Sequence, residues 1–203
     1  MHINRREMMG SCIAAGAAIA TQQAFGEASA RKPNIVVILG DDIGHECYGA
    51  YGSTLYQTPN FDALAREDAL FTHAYSQPLC TPSRVQMMTG KYNFRNYTKF
   101  GEMNLSEPTF AKMLKTAGYK TCIADKWQLS PGNLEGPHTA GFDEYLLWHF
   151  IAEETKDGGE FSDRGSRYKS PKLYKNGKKL EGTEGKYGPD LCDEFLANFI
   201  EKN

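Results

Sequence analysis

The sequence predicts an α/β fold, a doubly wound, mostly parallel sheet with helices on both faces. The continuous apolar run Ile35–Leu39 is typical of a strand that is buried on both faces of a parallel sheet. Helical patterns follow near residues 58–65, 82–90 and 108–117, and strand character returns at Tyr119–Ala124. Because strands alternate with helices along the chain, we expect this architecture.

The helices are predicted from their start and stop signals. Thr58 is the expected N-cap of the first helix and Pro59 its first residue. A second helix is expected from about Pro82 to Gly90, where a glycine can end a helix in the left-handed conformation. The apolar face of the first helix is expected to comprise Phe61, Leu64 and Ala65.

The remaining elements are shorter or lie near the end of the chain. A short strand is expected at Phe71–Tyr75. Asn176-Gly177 supplies the positive φ angles of a two-residue turn, so a hairpin is expected around it in an otherwise polar segment, 153–186. An amphipathic helix is expected from Asp190, with one apolar side formed by Leu191, Phe195, Phe199 and Ile200.

Composition and the first thirty residues indicate an exported globular protein. The chain has 203 residues, 40% hydrophobic and 24% charged, and its net charge of -2 argues against nucleic acid as the main partner. Arg5 and Arg6, the apolar stretch Gly10–Ala20 and the small residues Ala28–Ala30 follow in signal-peptide order. The apolar stretch is too short to span a bilayer. We therefore expect a signal peptide at 1–30, with twin-arginine export left open, and a domain at 31–203.

Charged residues are expected at one edge of the sheet. Asp41 and Asp42 follow the first predicted strand, and Asp125 and Lys126 follow the strand that starts at Tyr119. If both strands are parallel, their carboxyl ends share one edge, which is where ligands bind in such folds.

The most informative segment is Cys80-Thr81-Pro82-Ser83-Arg84, which continues to Thr89-Gly90. It resembles the signature of the type I sulfatases, members of the alkaline-phosphatase-like superfamily, in which the cysteine is oxidised to formylglycine. Further landmarks of that family are similar to Lys32-Pro33-Asn34, Asp41-Asp42-Ile43-Gly44, Thr58-Pro59-Asn60-Phe61-Asp62, Gly118-Tyr119-Lys120-Thr121 and Gly141-Phe142-Asp143.

The resemblance implies a calcium-dependent sulfuric ester hydrolase that acts on a sulfated carbohydrate or an aryl sulfate. It assigns catalysis to Cys80, Arg84 and Lys126, and contacts with the substrate to Lys126 and Gln128. It assigns the calcium ion (Ca2+) to Asp41, Asp42 and the formylglycine derived from Cys80, and oxygen ligands of this kind suit calcium. The implied partners are the sulfate ester and a formylglycine-generating enzyme or an anaerobic maturase, with no membrane span.

One segment departs from the family pattern. The family pattern is G-K-W-H-L-G, and this chain has Asp125-Lys126-Trp127-Gln128-Leu129-Ser130 at the same place. Gln128 can donate a hydrogen bond, but it cannot act as an acid or base near neutral pH. Asp125 adds a negative charge close to the expected anion site.

Family members are considerably longer than this chain, which is therefore expected to be the N-terminal part of a truncated catalytic domain and inactive by itself. Two other functions remain open. One is a related phosphoryl-transfer hydrolase of the same superfamily, and the other is a non-catalytic remnant that binds sulfated glycans.

Overall fold

The computed structural model describes residues 32–148, 150 and 167–203, so the predicted signal peptide lies outside the described residues. The chain divides into two units, Met1–Gly40 and Asp41–Asn203. In the first unit, 32–40 has no helix or strand, and Val36 and Ile38 are 71% and 69% exposed. The prediction of a buried strand at Ile35–Leu39 is therefore wrong. A strand needs a neighbour to pair its backbone groups, and no described strand pairs with this segment.

The second unit is built on a mixed sheet with helices, which confirms the α/β class. Its strands, in spatial order, are β1 (Cys122–Lys126), β2 (Glu144–Trp148), β3 (Tyr174–Lys175) and β4 (Lys178–Lys179). Within the described residues β1 and β2 pair in parallel, whereas β2 with β3 and β3 with β4 are antiparallel. The strand predicted at Tyr119–Ala124 begins three residues later. As a result, Asp125 and Lys126 are the last residues of β1 and do not follow it.

The predicted helices are present with small shifts of their ends. They are α1 (Pro59–Glu67), α2 (Cys80–Thr89), α3 (Phe110–Thr116) and, after a short α4 (Gly136–Thr139) that was not predicted, α5 (Gly188–Lys202). Short 3-10 turns lie at His45–Cys47, Gly49–Tyr51 and Asn93–Arg95. The predicted strand at Phe71–Tyr75 is wrong, because this segment has no regular structure and its two end residues are 69% and 88% exposed. No residue of α1 is buried, so its predicted apolar face is largely exposed.

Apolar side chains cover both faces of the sheet because successive strand residues point to opposite faces. Tyr145 and Leu147 of β2 belong to a cluster that includes Val85 of α2 and Ala111 of α3. Leu146 of β2 packs with the other cluster, which contains Cys192 and Phe195 of α5. Helices therefore lie on both faces, as the sequence predicts. None of the helices in the described part of the chain is long and apolar enough to cross a membrane.

The predicted hairpin is present between β3 and β4. Asn176 and Gly177 have φ angles of 46° and 83°, as a two-residue turn with positive φ at both positions requires. The Asn176 side chain also accepts a hydrogen bond of 2.7 Å from the backbone N–H of Tyr145. The turn is thereby tied to β2 next to it.

Candidate active site

Cys80 is the first residue of α2, and the core fixes this helix in place. Thr81 and Val85 are fully buried, and Gly90 ends the helix with φ 66°. The Cys80 thiol is half-buried and donates a hydrogen bond to Oε1 of Gln128 at 2.9 Å. The described cysteines form no disulfide among themselves, since Cys47, Cys80, Cys122 and Cys192 are all free.

Arg84 lies one helical turn after Cys80 and connects α2 to the end of β1. Its Nη1 donates to the backbone carbonyl of Lys126 at 2.9 Å, and its Nη2 lies 3.8 Å from Oδ1 of Asp41. Burial lowers the pKa of the Arg84 guanidinium, and the negative charge of Asp41 partly offsets this effect. The Nε of Arg84 is buried and has no hydrogen-bond partner within the described residues.

Asp41 is the centre of a cluster of cationic side chains. The ammonium of Lys126 lies 3.1 Å from Oδ1 and 2.9 Å from Oδ2 of Asp41, and Nη1 of Arg167 lies 3.2 Å from the same Oδ2. Burial alone raises the pKa of the Asp41 carboxyl. Hydrogen bonds and charges from Lys126, Arg84 and Arg167 outweigh burial, so that this pKa falls below its ordinary value of 3.8.

The end of β1 bends sharply, and the bend orients three side chains of the site. Asp125 and Gln128 have φ angles of 80° and 52°, in the left-handed region that residues with a Cβ rarely adopt. Between them Trp127 is fully buried, and its indole N–H bonds to Ser130. Gln128 reaches Cys80, and Asp125 accepts a 2.8 Å hydrogen bond from the Trp148 indole. The bend therefore allows Trp127 to pack in the core while the next residue, Gln128, contacts the candidate nucleophile Cys80.

The structure brings most of the predicted site residues together. Asp41, Arg84 and Lys126 are in mutual contact, and Cys80 and Gln128 form a hydrogen-bonded pair beside them. Asp42 is exposed and forms no hydrogen bond or ion pair with this cluster among the described residues. No group of three or more His, Cys, Asp or Glu side chains that could hold a metal ion occurs within the described residues.

Two residues at the site were not predicted from the sequence. Arg167 contacts Asp41 across 126 positions of the chain, and Trp148, at the end of β2, lies beside it. Arg167 is in a polar segment without a motif, so no local signal marks it. Trp148 ends the run 145–148 of aromatic and leucine residues, which a search for buried strands would find.

Comparison with known proteins gives the family. A family model described as Sulfatase matches residues 33–187. The N-acetylglucosamine-6-O-sulfatase of Bacteroides thetaiotaomicron is 31% identical over 174 residues, which are 84% of this chain and 28% of that protein. Ps i-CgsB, solved in complex with k-i-k-neocarrahexaose, has a TM-score of 0.70 at 27% identity, over 85% of this chain and 42% of that one. The PsFucS1 sulfatase from Pseudoalteromonas sp. has a TM-score of 0.65 at 25% identity, over 91% and 44%.

The similarity covers most of this chain but only part of each relative. The chain spans less than a third of the curated relative and less than half of each solved chain. The matched region contains the candidate site, from Asp41 to Arg167, and the solved relatives share its α/β fold. The chain belongs to the sulfatase family.

Proposed function

We propose that this chain carries the nucleophile of a sulfuric ester hydrolase, formed by oxidation of Cys80 to formylglycine. The observation that carries the proposal is the position of Cys80 at the start of α2, one turn before Arg84, whose Nη1 donates to the backbone carbonyl of Lys126 at 2.9 Å. Membership of the sulfatase family supports the same class of reaction. The position of the nucleophile and the buried cation Arg84 therefore lie on α2, and the second buried cation, Lys126, lies on the adjacent strand β1.

The oxidation explains why a cysteine stands at this position. A thiolate that attacked sulfur would have no internal route for releasing sulfate, whereas a hydrated aldehyde supplies one hydroxyl for attack and a second for release. The Cys80 side chain is only half-buried and is free, so a maturing enzyme and a substrate can reach it. Gln128 accepts a hydrogen bond at this position and would orient a hydroxyl there without taking its proton.

Arg84 and Lys126 supply positive charge for an anionic sulfuryl group. Their side chains are 11% and 6% exposed, and charges act more strongly in such a poorly solvated environment than in water. The unpaired Nε of Arg84 is a further argument. A buried donor without an acceptor costs about 1–3 kcal/mol, so an acceptor supplied by a ligand would offset that cost.

Calcium fits the described residues only in part. Asp41 and Asp42 offer carboxylate oxygens, and Cys80 lies nearby, but calcium takes 6–8 oxygen ligands. Lys126 and Arg167 already occupy the Asp41 carboxylate, and no cluster of three candidate ligands forms among the described residues. These residues do not make a complete calcium site by themselves. Calcium binding by Asp41, Asp42 and the formylglycine at position 80 is therefore a proposal that follows from the family resemblance.

A sulfated carbohydrate is the substrate class that we favour. A solved relative carries k-i-k-neocarrahexaose, and a curated relative is an N-acetylglucosamine-6-O-sulfatase. An aryl sulfate remains a simpler substrate for assays. Export through residues 1–30 and maturation by a formylglycine-generating or anaerobic enzyme belong to the same proposal.

A non-catalytic sulfated-glycan binder is the second candidate, and one observation favours it. Gln128 contacts Cys80 where the family pattern has a histidine, so the imidazole of that pattern is replaced by a group that does not titrate. Matured protein that binds sulfated glycan without hydrolysing it would support this candidate.

Peptide mass spectrometry of protein made with a maturing enzyme tests the proposal. We expect an aldehyde at Cys80, with Cys47 and Cys122 unmodified as internal controls. In a version extended to the length of the family members, Cys80→Ala should abolish turnover of an aryl sulfate without greatly altering the fold, since it removes the nucleophile and leaves the core intact. An unmodified Cys80 in a host that converts a known sulfatase would contradict the proposal.

A further inference from the structure

We propose that Arg167 is a third cation of the oxyanion site and contacts the anionic group of the substrate beside Lys126. The inference rests on the proposed function, because it takes a sulfate ester to bind at Arg84 and Lys126. Neither the sequence motifs nor the family resemblance stated above assigns a role to Arg167. Four features of the described residues carry the inference.

First, three cationic side chains already converge on an oxyanion of the chain itself, the Asp41 carboxylate. Lys126 and Arg167 approach the same oxygen, Oδ2, at 2.9 and 3.2 Å, and Nη2 of Arg84 lies 3.8 Å from Oδ1. The three cations come from β1, the segment before β3, and α2. Their arrangement is therefore one that binds a small oxyanion with charge-assisted hydrogen bonds.

Second, the charges of the cluster do not cancel. Arg84, Lys126 and Arg167 face the carboxylates of Asp41 and Asp125, and Asp125 acts on both arginines through its charge. One positive charge is left uncompensated among these five side chains. A sulfate monoester carries one negative charge, so it matches this excess.

Third, Arg167 is the most accessible cation of the three. Its side chain is 26% exposed, compared with 11% for Arg84 and 6% for Lys126. A substrate that approaches from solvent can therefore reach Arg167 at a smaller cost of rearrangement than the two deeper cations.

Fourth, the Arg167 guanidinium lies over two aromatic rings. Its central carbon lies 5.3 Å from the Trp148 ring centroid and 4.9 Å from that of Tyr168, within the range of cation–π contacts. Trp148 is itself fixed at the end of β2 by its bond to Asp125. Because the N–H donors of arginine point outward in the plane of the group, stacking leaves them directed at its edge. The side chain is thus ordered before an anion binds.

Calorimetric titration with inorganic sulfate, against chloride at matched ionic strength, tests the inference on the full chain. Arg167→Gln should weaken sulfate binding about tenfold, as expected for loss of a charge-assisted hydrogen bond that is partly exposed. Arg95→Gln is the matched control, because Arg95 is exposed on a 3-10 turn and the substitution removes the same charge. Arg167→Lys should give an intermediate affinity, since it keeps the charge but loses the planar set of donors.

A second pair of variants allows the test to be made if the unaltered chain binds sulfate too weakly to measure. In calcium-free buffer, Asp41→Asn removes the carboxylate that competes for the three cations and should raise the affinity for sulfate. Asp42→Asn, which removes the neighbouring exposed charge, should change it much less. The effect of Arg167→Gln is then measured again in the Asp41→Asn background, with near-UV circular dichroism to confirm the fold.

The outcomes separate this inference from the proposed function. Equal affinities for Arg167→Gln and Arg95→Gln, together with loss of binding in Lys126→Met, would overturn the role of Arg167 and leave the proposed site in place. If Lys126→Met also keeps its affinity, or if Asp41→Asn binds no sulfate, the proposed anion site fails and the inference fails with it.

Discussion

At the scale of single residues, Asp125 shows how one substitution alters the site. Its φ of 80° lies in a region that glycine adopts more readily than other residues, and the family pattern has a glycine at this position. Aspartate tolerates this region better than most residues, and its carboxylate bonds to the Trp148 indole at 2.8 Å. The chain therefore accepts local strain and places a negative charge close to Arg84 and Arg167.

Replacing Asp125 by alanine and by glycine should separate strain from hydrogen bonding. Both variants lose the carboxylate, but only alanine keeps a Cβ at positive φ, so Asp125→Ala should be about 1 kcal/mol less stable than Asp125→Gly. Urea unfolding measures the difference.

Asp193, exposed within α5, supplies the control. At a helical position the order should reverse, with alanine more stable than glycine by about 1 kcal/mol. The same order at both positions would show that the positive φ of Asp125 carries no strain.

At the scale of elements, Asp143 joins α3 to the start of the parallel strand pair. Its Oδ1 lies 2.6 Å from the ammonium of Lys115 in α3, and its Oδ2 accepts bonds of 3.0 and 3.1 Å from the backbone N–H and the hydroxyl of Thr121. Burial alone raises the pKa of Asp143. The Lys115 and Thr121 contacts outweigh it and hold this pKa below its ordinary value of 3.8.

This lowered pKa makes the stability of the joint depend on pH. A carboxyl group that is more acidic in the folded state stabilises that state above its unfolded pKa, and this contribution is lost as pH falls through the folded pKa. Asp143→Asn should therefore cost about 1–2 kcal/mol at pH 7. The difference from the unaltered chain should shrink towards pH 3 in urea unfolding.

The exposed Asp68 at the end of α1 is the matched site for this experiment. Asp68→Asn should change stability by less than about 0.5 kcal/mol at either pH. A cost for Asp143→Asn that stays constant between pH 7 and pH 3 would argue against an ionised Asp143 as its source.

At the scale of the whole molecule, the most unusual feature is the exposed apolar run Ile35–Leu39. Each of its five side chains is at least 41% exposed, and no described strand pairs with it. An unpaired apolar segment of this kind is a site for association between copies of a chain.

Introducing charge into this run should therefore reduce self-association. We expect Val36→Lys with Ile38→Lys to lower the average mass measured by light scattering at high protein concentration. Ile200→Lys tests whether any added lysine has this effect, since Ile200 is 60% exposed and lies on α5, outside this run. An equal decrease for both proteins would locate the association elsewhere.

The local features of the protein could be predicted from its sequence. The α2 helix, the Asn176-Gly177 turn and the spacing of Cys80 and Arg84 depend on residues within a few positions of one another, so their patterns could be recognised directly. The same holds for the family, because its signature is continuous from Cys80 to Arg84. A single buried strand such as Ile35–Leu39 was predicted from hydrophobicity alone and failed, since a strand also needs neighbours that its own sequence does not specify.

Which charged side chains contact one another became clear only from the folded chain. Asp41 and Asp42 are neighbours of the same type, yet only Asp41 contacts Lys126, 85 positions away, and Arg167, 126 positions away. The fold sets these distances by burying β1 and α2 against a common core, and burial strengthens the attraction between the charges while it also costs desolvation. Local sequence patterns do not predict contacts between residues so far apart in the chain, so the role proposed for Arg167 could be inferred only from the folded chain.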